Sequence, residues 1–139
     1  MIVYFETSAL FKLFVQEPGS DVAAALWDGA DAVVTGRITY PEARAALASG
    51  ERMRRLTPTL HRRAKHQLEQ LWDEMRVVEL DASVSRTASE LAERYGLRGY
   101  DAVHLAAVLV IREDAPLLAT WDAELATAAN LADIAVAPG

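Results

Sequence analysis

The chain has 139 residues, 52% of them hydrophobic, enough for one domain with a packed core and too few for two. It has no cysteine, which excludes disulfides and thiolate metal sites. The expected setting is the cytoplasm: the apolar start has no basic leader and is broken by Glu6, and the longest apolar stretch, 102–111, falls far short of the ~20 residues of a membrane span.

Residues 2–5 are β-branched and aromatic and predict a buried strand. Helical spacing of Leu10, Leu13 and Phe14 predicts a helix over 7–16, stopped by Pro18-Gly19. Ser20 or Asp21 caps a second helix through Trp27, and 32–35 is the second strand. Alanine and leucine content predicts a helix over 39–49 with Gly50 as its terminator. Thr57-Pro58 opens a long helix to about Met75, proline suiting a first helical position. A third strand over 76–80, a helix over 83–95, an almost wholly apolar helix over 101–112, a fourth strand over 116–120, a helix over 122–131 and a weak strand over 134–136 complete the chain. Strands alternating with helices imply one α/β domain over 1–139. Its expected form is three-layered, α/β/α, around a mainly parallel sheet of about five strands.

Four acids each follow an apolar run and open a helix-like segment: Glu6, Glu42, Asp101 and Asp122. Ligands of open α/β folds bind where the carboxyl ends of parallel strands converge. Carboxylates gathered there repel one another unless a hard divalent cation lies among them. Each also has a structural explanation. Thr39-x-x-Glu42 fits a capping box, and Asp101 and Asp122 suit the positive end of a helix dipole. Asp81, which also follows a strand, has no functional mark at all. The case rests on the combination.

The charge is uneven. Although the net charge of −6 opposes general attraction to nucleic acid, six of the fourteen basic residues lie between positions 52 and 65: Arg52, Arg54, Arg55, Arg62, Arg63 and Lys65. They form either a patch for a phosphate backbone or a solvated helix face.

Four blocks together resemble the PIN-domain nucleases, and among them the VapC-type toxins of toxin–antitoxin pairs. They are Glu6-Thr7-Ser8-Ala9-Leu10 with Lys12-Leu13, Tyr40-Pro41-Glu42, Tyr100-Asp101-Ala102-Val103-His104-Leu105-Ala106-Ala107, and Ala119-Thr120-Trp121-Asp122. The resemblance spans essentially the whole chain. It implies a Mg²⁺- or Mn²⁺-dependent endoribonuclease leaving 5′-phosphate and 3′-hydroxyl ends. Glu6 and Asp101 would be the principal ligands, and Glu42 and Asp122 would hold further waters or a second ion. Supporting roles fall to Thr7 and Ser8, orienting Glu6 or donating to substrate, and to Thr120, bonding a carboxylate. His104 is expected to be packed and hydrogen-bonded rather than a ligand. Arg98 and Lys12 either meet phosphate or are simply solvated.

The family implies a homodimer and a VapB-type antitoxin partner. Leu10, Phe11, Phe14, Val15, Leu26 and Trp27 are candidates for the apolar groove such a partner fills, or for core. One departure stands out, because the family usually places Asp where this chain has Glu6. The extra methylene displaces the carboxylate by ~1.5 Å if the backbone stays put, and Mg²⁺ requires ligands at ~2.0–2.1 Å. The expectation is retained metal binding with altered efficiency. The alternative is a weakened or inactive module that binds RNA or antitoxin. A receiver domain would need paired acids after the first strand and a lysine after the last, and a haloacid-dehalogenase-like phosphatase would need Asp-x-Asp-x-Thr. Neither pattern occurs.

Overall fold

The computed structural model describes all residues, Met1–Gly139. Five strands form one sheet in the order β3-β2-β1-β4-β5: β1 (Ile2–Phe5), β2 (Ala32–Gly36), β3 (Arg76–Val78), β4 (Leu117–Ala119) and β5 (Ala135–Ala137). Every pairing is parallel, so all five carboxyl ends lie along one edge. Seven helices connect them: α1 (Thr7–Phe14), α2 (Ser20–Gly29), α3 (Thr39–Arg52), α4 (Pro58–Trp72), α5 (Ala82–Tyr95), α6 (Gly99–Val110) and α7 (Ala123–Leu131).

Side chains of a strand alternate between its faces, and β1 shows how this builds two cores. Val3 and Phe5 pack on one side with Ala9, Leu10, Leu47 and Leu68 of α1, α3 and α4. Tyr4 faces the other, among Val84, Leu91, Leu105 and Leu125 of α5, α6 and α7. The expected three layers result. α6 is the most buried helix, as its nearly all-apolar sequence predicts, with seven buried residues from Asp101 to Val108.

Several boundaries differ from the sequence reading. Gly50 does not end α3, which continues to Arg52. The Gly50 carbonyl instead accepts the amides of Arg55 and Leu56 to close the turn into α4. α4 stops at Trp72, and α6 begins at Gly99 and gives way at Ile111 to a single 3-10 turn, Arg112–Asp114. Thr39 is not a capping residue either: α3 starts without a side-chain cap, and the Thr39 hydroxyl is bonded to that of Thr35 at 2.8 Å. Thr35 therefore takes the hydroxyl that a capping box would have used, and Glu42 is left free to act elsewhere.

Candidate active site

Because β1 lies between β2 and β4, chain direction across the sheet reverses there, and the carboxyl ends of β1 and β4 flank a crevice. Glu6 is the residue after β1, and Thr120 and Asp122 follow β4. Glu42 enters from the first turn of α3 and Asp101 from the first turn of α6. All four acids thus reach the same edge of the sheet.

Glu6 is buried and caps α1. Its Oε1 accepts the Ser8 amide at 3.1 Å, and its Oε2 accepts the hydroxyls of Ser8 and Thr120, the latter at 2.7 Å. The two hydroxyls are themselves fixed, since Ser8 accepts the Trp121 amide at 2.8 Å and Thr120 accepts the Asp122 amide at 3.0 Å. Ser8 and Thr120 therefore hold the Glu6 carboxylate in place. Thr7 does not: its hydroxyl donates to Glu42 Oε1 at 2.6 Å.

Glu42 Oε1 also accepts His104 Nε2 at 2.6 Å, and His104 Nδ1 meets the Tyr4 hydroxyl at 2.9 Å. A carboxylate only accepts, so His104 Nε2 donates to Glu42. His104 is fully buried, packed and hydrogen-bonded as the sequence suggests, and it also positions Glu42. Burial by itself raises the Glu42 carboxyl, but the bond and charge of His104 and the bond from Thr7 outweigh it and hold the group below the usual range. Burial, then Glu6 and Glu42, push the Tyr4 phenol well above its ordinary value, keeping it protonated. Gly36 makes this chain possible, because a Cβ there would stand 2.5 Å from the Tyr4 hydroxyl oxygen.

Tyr4 and Gly36 were missed in the sequence. The available signal was one tyrosine hydroxyl in an otherwise apolar strand, which must find a buried partner.

Asp101 and Asp122 are joined by Arg98, whose Nε donates to Asp101 at 3.0 Å and whose other nitrogen donates to Asp122 at 3.1 Å. Asp101 is 2% exposed. Burial and then Asp122 raise its carboxyl above the usual range, with Glu6 adding to the rise and Arg98 opposing it. Asp122 also caps α7 through the Leu125 amide at 2.9 Å, so its structural and candidate functional roles coexist. Asp81 has only the structural one, capping α5 through Val84. Arg98 is ion-paired rather than simply solvated. Lys12 is engaged too, bonding Glu17 at 2.9 Å and the Pro18 carbonyl at 2.8 Å.

Glu6 and Glu42 line one hollow of about 530 Å³ with Thr7, Ser8, Lys12 and Tyr100. A cavity of similar size, about 540 Å³, lies between the end of α5 and α7 and holds none of the four acids. With Glu6 folded onto Ser8 and Thr120, and Arg98 clasping Asp101 and Asp122, no three His, Asp or Glu side chains converge tightly enough to hold a metal ion in this arrangement. The donor chemistry nevertheless suits one. It is all carboxylate, the choice of hard divalent cations, and Asp101 experiences repulsion from Asp122 and Glu6 that a cation would relieve. Glu6, Asp101 and Asp122 are the residues that would hold it, with Glu6 turned from Ser8 and Thr120 and the two aspartates freed from Arg98.

Of the candidate groove residues, Leu10 and Phe14 are buried in the core, and Leu26 and Trp27 pack against it. Phe11 and Val15 line an open groove.

Comparison with known proteins agrees with this architecture. The PIN domain family profile matches residues 3–131. Ribonuclease VapC45 of Mycobacterium tuberculosis (strain CDC 1551 / Oshkosh) is 45% identical over 137 residues, 99% of this chain and 95% of the relative. Among solved structures, FitAcB from Neisseria gonorrhoeae superposes with a TM-score of 0.71 at 22% identity, covering 98% of this chain and 96% of that one. VapBC-5 from Mycobacterium tuberculosis, described as a member of the VapBC family of toxin–antitoxin systems, gives a TM-score of 0.60 at 18% identity, with 97% and 96% covered. At those identities the two structures speak for the fold. By the family profile and the close full-length relative, this chain belongs to the PIN-domain family and, within it, to the VapC proteins.

Proposed function

We propose that this chain is an endoribonuclease dependent on Mg²⁺ or Mn²⁺ and the toxin of a toxin–antitoxin pair. The observation that carries the reading is the buried Asp101 beside Glu6 and Asp122 at the β1–β4 edge, in a chain 45% identical to a protein named a ribonuclease. A bound divalent cation would lower the pKa of a water and neutralise charge on the scissile phosphate.

The protein's own part is positional. Ser8 and Thr120 fix Glu6, and Tyr4 and His104 fix Glu42 with Oε2 free of protein partners. Arg98, on the exposed side of Asp101 and Asp122, offsets part of their charge while no cation is bound. The products would carry 5′-phosphate and 3′-hydroxyl ends. A VapB-type antitoxin and a homodimer complete the proposal, the former supported by the VapBC neighbour.

The inward fold of Glu6, with both oxygens engaged, favours a second reading: a PIN-fold module that binds RNA or antitoxin with little turnover. Incubating the purified protein with total RNA separates the two. The enzyme reading expects cleavage that needs Mg²⁺ or Mn²⁺, stops with chelator and is lost in Asp101→Asn. RNA left intact under every metal, with RNA still bound, gives the module reading, and Glu6→Asp should then restore cutting.

A further inference from the structure

The six clustered cations run from the end of α3 (Arg52) through the turn (Arg54, Arg55) into the second turn of α4 (Arg62, Arg63, Lys65). Arg52, Arg54, Arg55, Arg62 and Arg63 are exposed and Lys65 is half-buried. None of them forms an ion pair. The acids that could answer them are engaged elsewhere: Glu51 with His61 at 2.9 Å and Glu17 with Lys12 at 2.9 Å.

Helix electrostatics explains only part of the cluster. Cations favour the carboxyl end of α3, but Arg62 and Arg63 stand in the second turn of α4, near its positive end, where a cation gains nothing. Arg54 moreover has φ 59°, a left-handed conformation in which glycine is the less costly residue.

The tip is connected to the acidic edge. One groove is lined by Phe11, Glu17, Ala46, Gly50 and Arg55, and the hollow holding Glu6 and Glu42 is lined by the same Phe11, Glu17 and Ala46. The two hollows adjoin along α1 and α3 at these shared side chains. From Glu42 to Arg52 the α3 axis advances about 15 Å, at 1.5 Å per residue.

We propose that this basic tip docks the single-stranded phosphate backbone of the RNA substrate, in a groove adjoining the hollow of the carboxylates that cut it. The inference rests on the nuclease reading for the identity of the polyanion. In an acidic chain a local cluster of unpaired cations attracts phosphate only where it stands, and so it orients the strand beside the acidic edge rather than drawing nucleic acid to the whole surface. Backbone contact of this kind sets register without reading sequence.

The test measures binding of a short fluorescent single-stranded RNA in chelator, so that no cleavage occurs, between about 50 and 200 mM salt. Replacing Arg52, Arg54 and Arg55 together by Gln should lower the slope of log affinity against log salt by about 2, at about 0.7 per phosphate contact. At about 0.15 M salt the same loss is roughly fiftyfold in affinity. The double variant Arg62→Gln with Arg63→Gln gives an independent measure, with a slope change of about 1.4. Arg54→Gly should melt higher, by relief of its backbone strain, yet bind RNA more weakly. No measurable binding by the parent, or an unchanged slope in both multiple variants, overturns the proposal and leaves the tip to a protein partner or to solvent. If the parent cuts RNA but the slopes do not move, only the docking inference falls. If the parent binds with the expected slope changes but never cuts, only the nuclease reading falls.

Discussion

Asp101 and Glu42 have opposite effects on stability. Asp101 is held above its ordinary carboxyl range by burial and by Asp122, so its ionised form strains the folded state. That cost is absent below the unfolded pKa, near the ordinary 3.8, and grows as pH rises through the folded value. Glu42 is held below its ordinary 4.5, so its stabilisation is full above that pH and lost as pH falls through the lowered value. Asp101→Asn is therefore expected to raise the melting temperature at pH 7 and to change little near pH 3, while abolishing RNA cleavage. Glu42→Gln should lose about 1.5–3 kcal/mol at pH 7, the worth of hydrogen bonds to a charged group, with the deficit shrinking in acid. Thermal melts across the pH range check both signs.

At the scale of elements, the four blocks in the sequence marked helix openings, three of them after a strand and that of Asp101 after α5, but not how their side chains partition. Thr39 and Glu42 have the spacing of a capping box, yet Thr35 engages Thr39 and His104 engages Glu42. A local pattern cannot register partners 62 residues apart. Thr7 illustrates the same point, turning from its neighbour Glu6 to Glu42 on another helix.

Gly36, at the end of β2, is the least tolerant position in this arrangement. Its missing Cβ leaves room for the Tyr4 hydroxyl that completes the line to His104 and Glu42. Gly36→Ala should cost about 1–3 kcal/mol through overpacking and reduce cleavage by misplacing Glu42. The double variant Gly36→Ala with Tyr4→Phe should recover part of the stability, because the colliding oxygen is gone. Denaturant unfolding of the three proteins measures this directly.

For the whole molecule, parallel pairing with β1 at the point of reversal brings together acids from distant parts of the chain. Their repulsion is relieved only partly by Arg98, a single cation. Millimolar Mg²⁺ or Mn²⁺ should therefore stabilise the fold. At about 100 times its Kd the gain is about 2.7 kcal/mol, or roughly 8 °C in melting temperature for a chain of this size. The shift should vanish in Asp101→Asn, and an unchanged melting temperature in the parent would rule out an acidic cation site. No helix is long and apolar enough to cross a membrane.

The order of strands and helices, the two-sided sheet and the identity of the four acids followed from the sequence by itself. Hydrophobic periodicity and helix-opening signals are local, and alternation of strand and helix restricts the topology. The direction of each carboxylate, the clasp of Arg98 on Asp101 and Asp122, the buried line from Tyr4 to Glu42, and the adjoining hollows at the acidic edge and the basic tip were decided only by the tertiary structure. Each depends on which donors a buried oxygen finds once the core has closed, and those donors come from parts of the chain that only packing brings within reach.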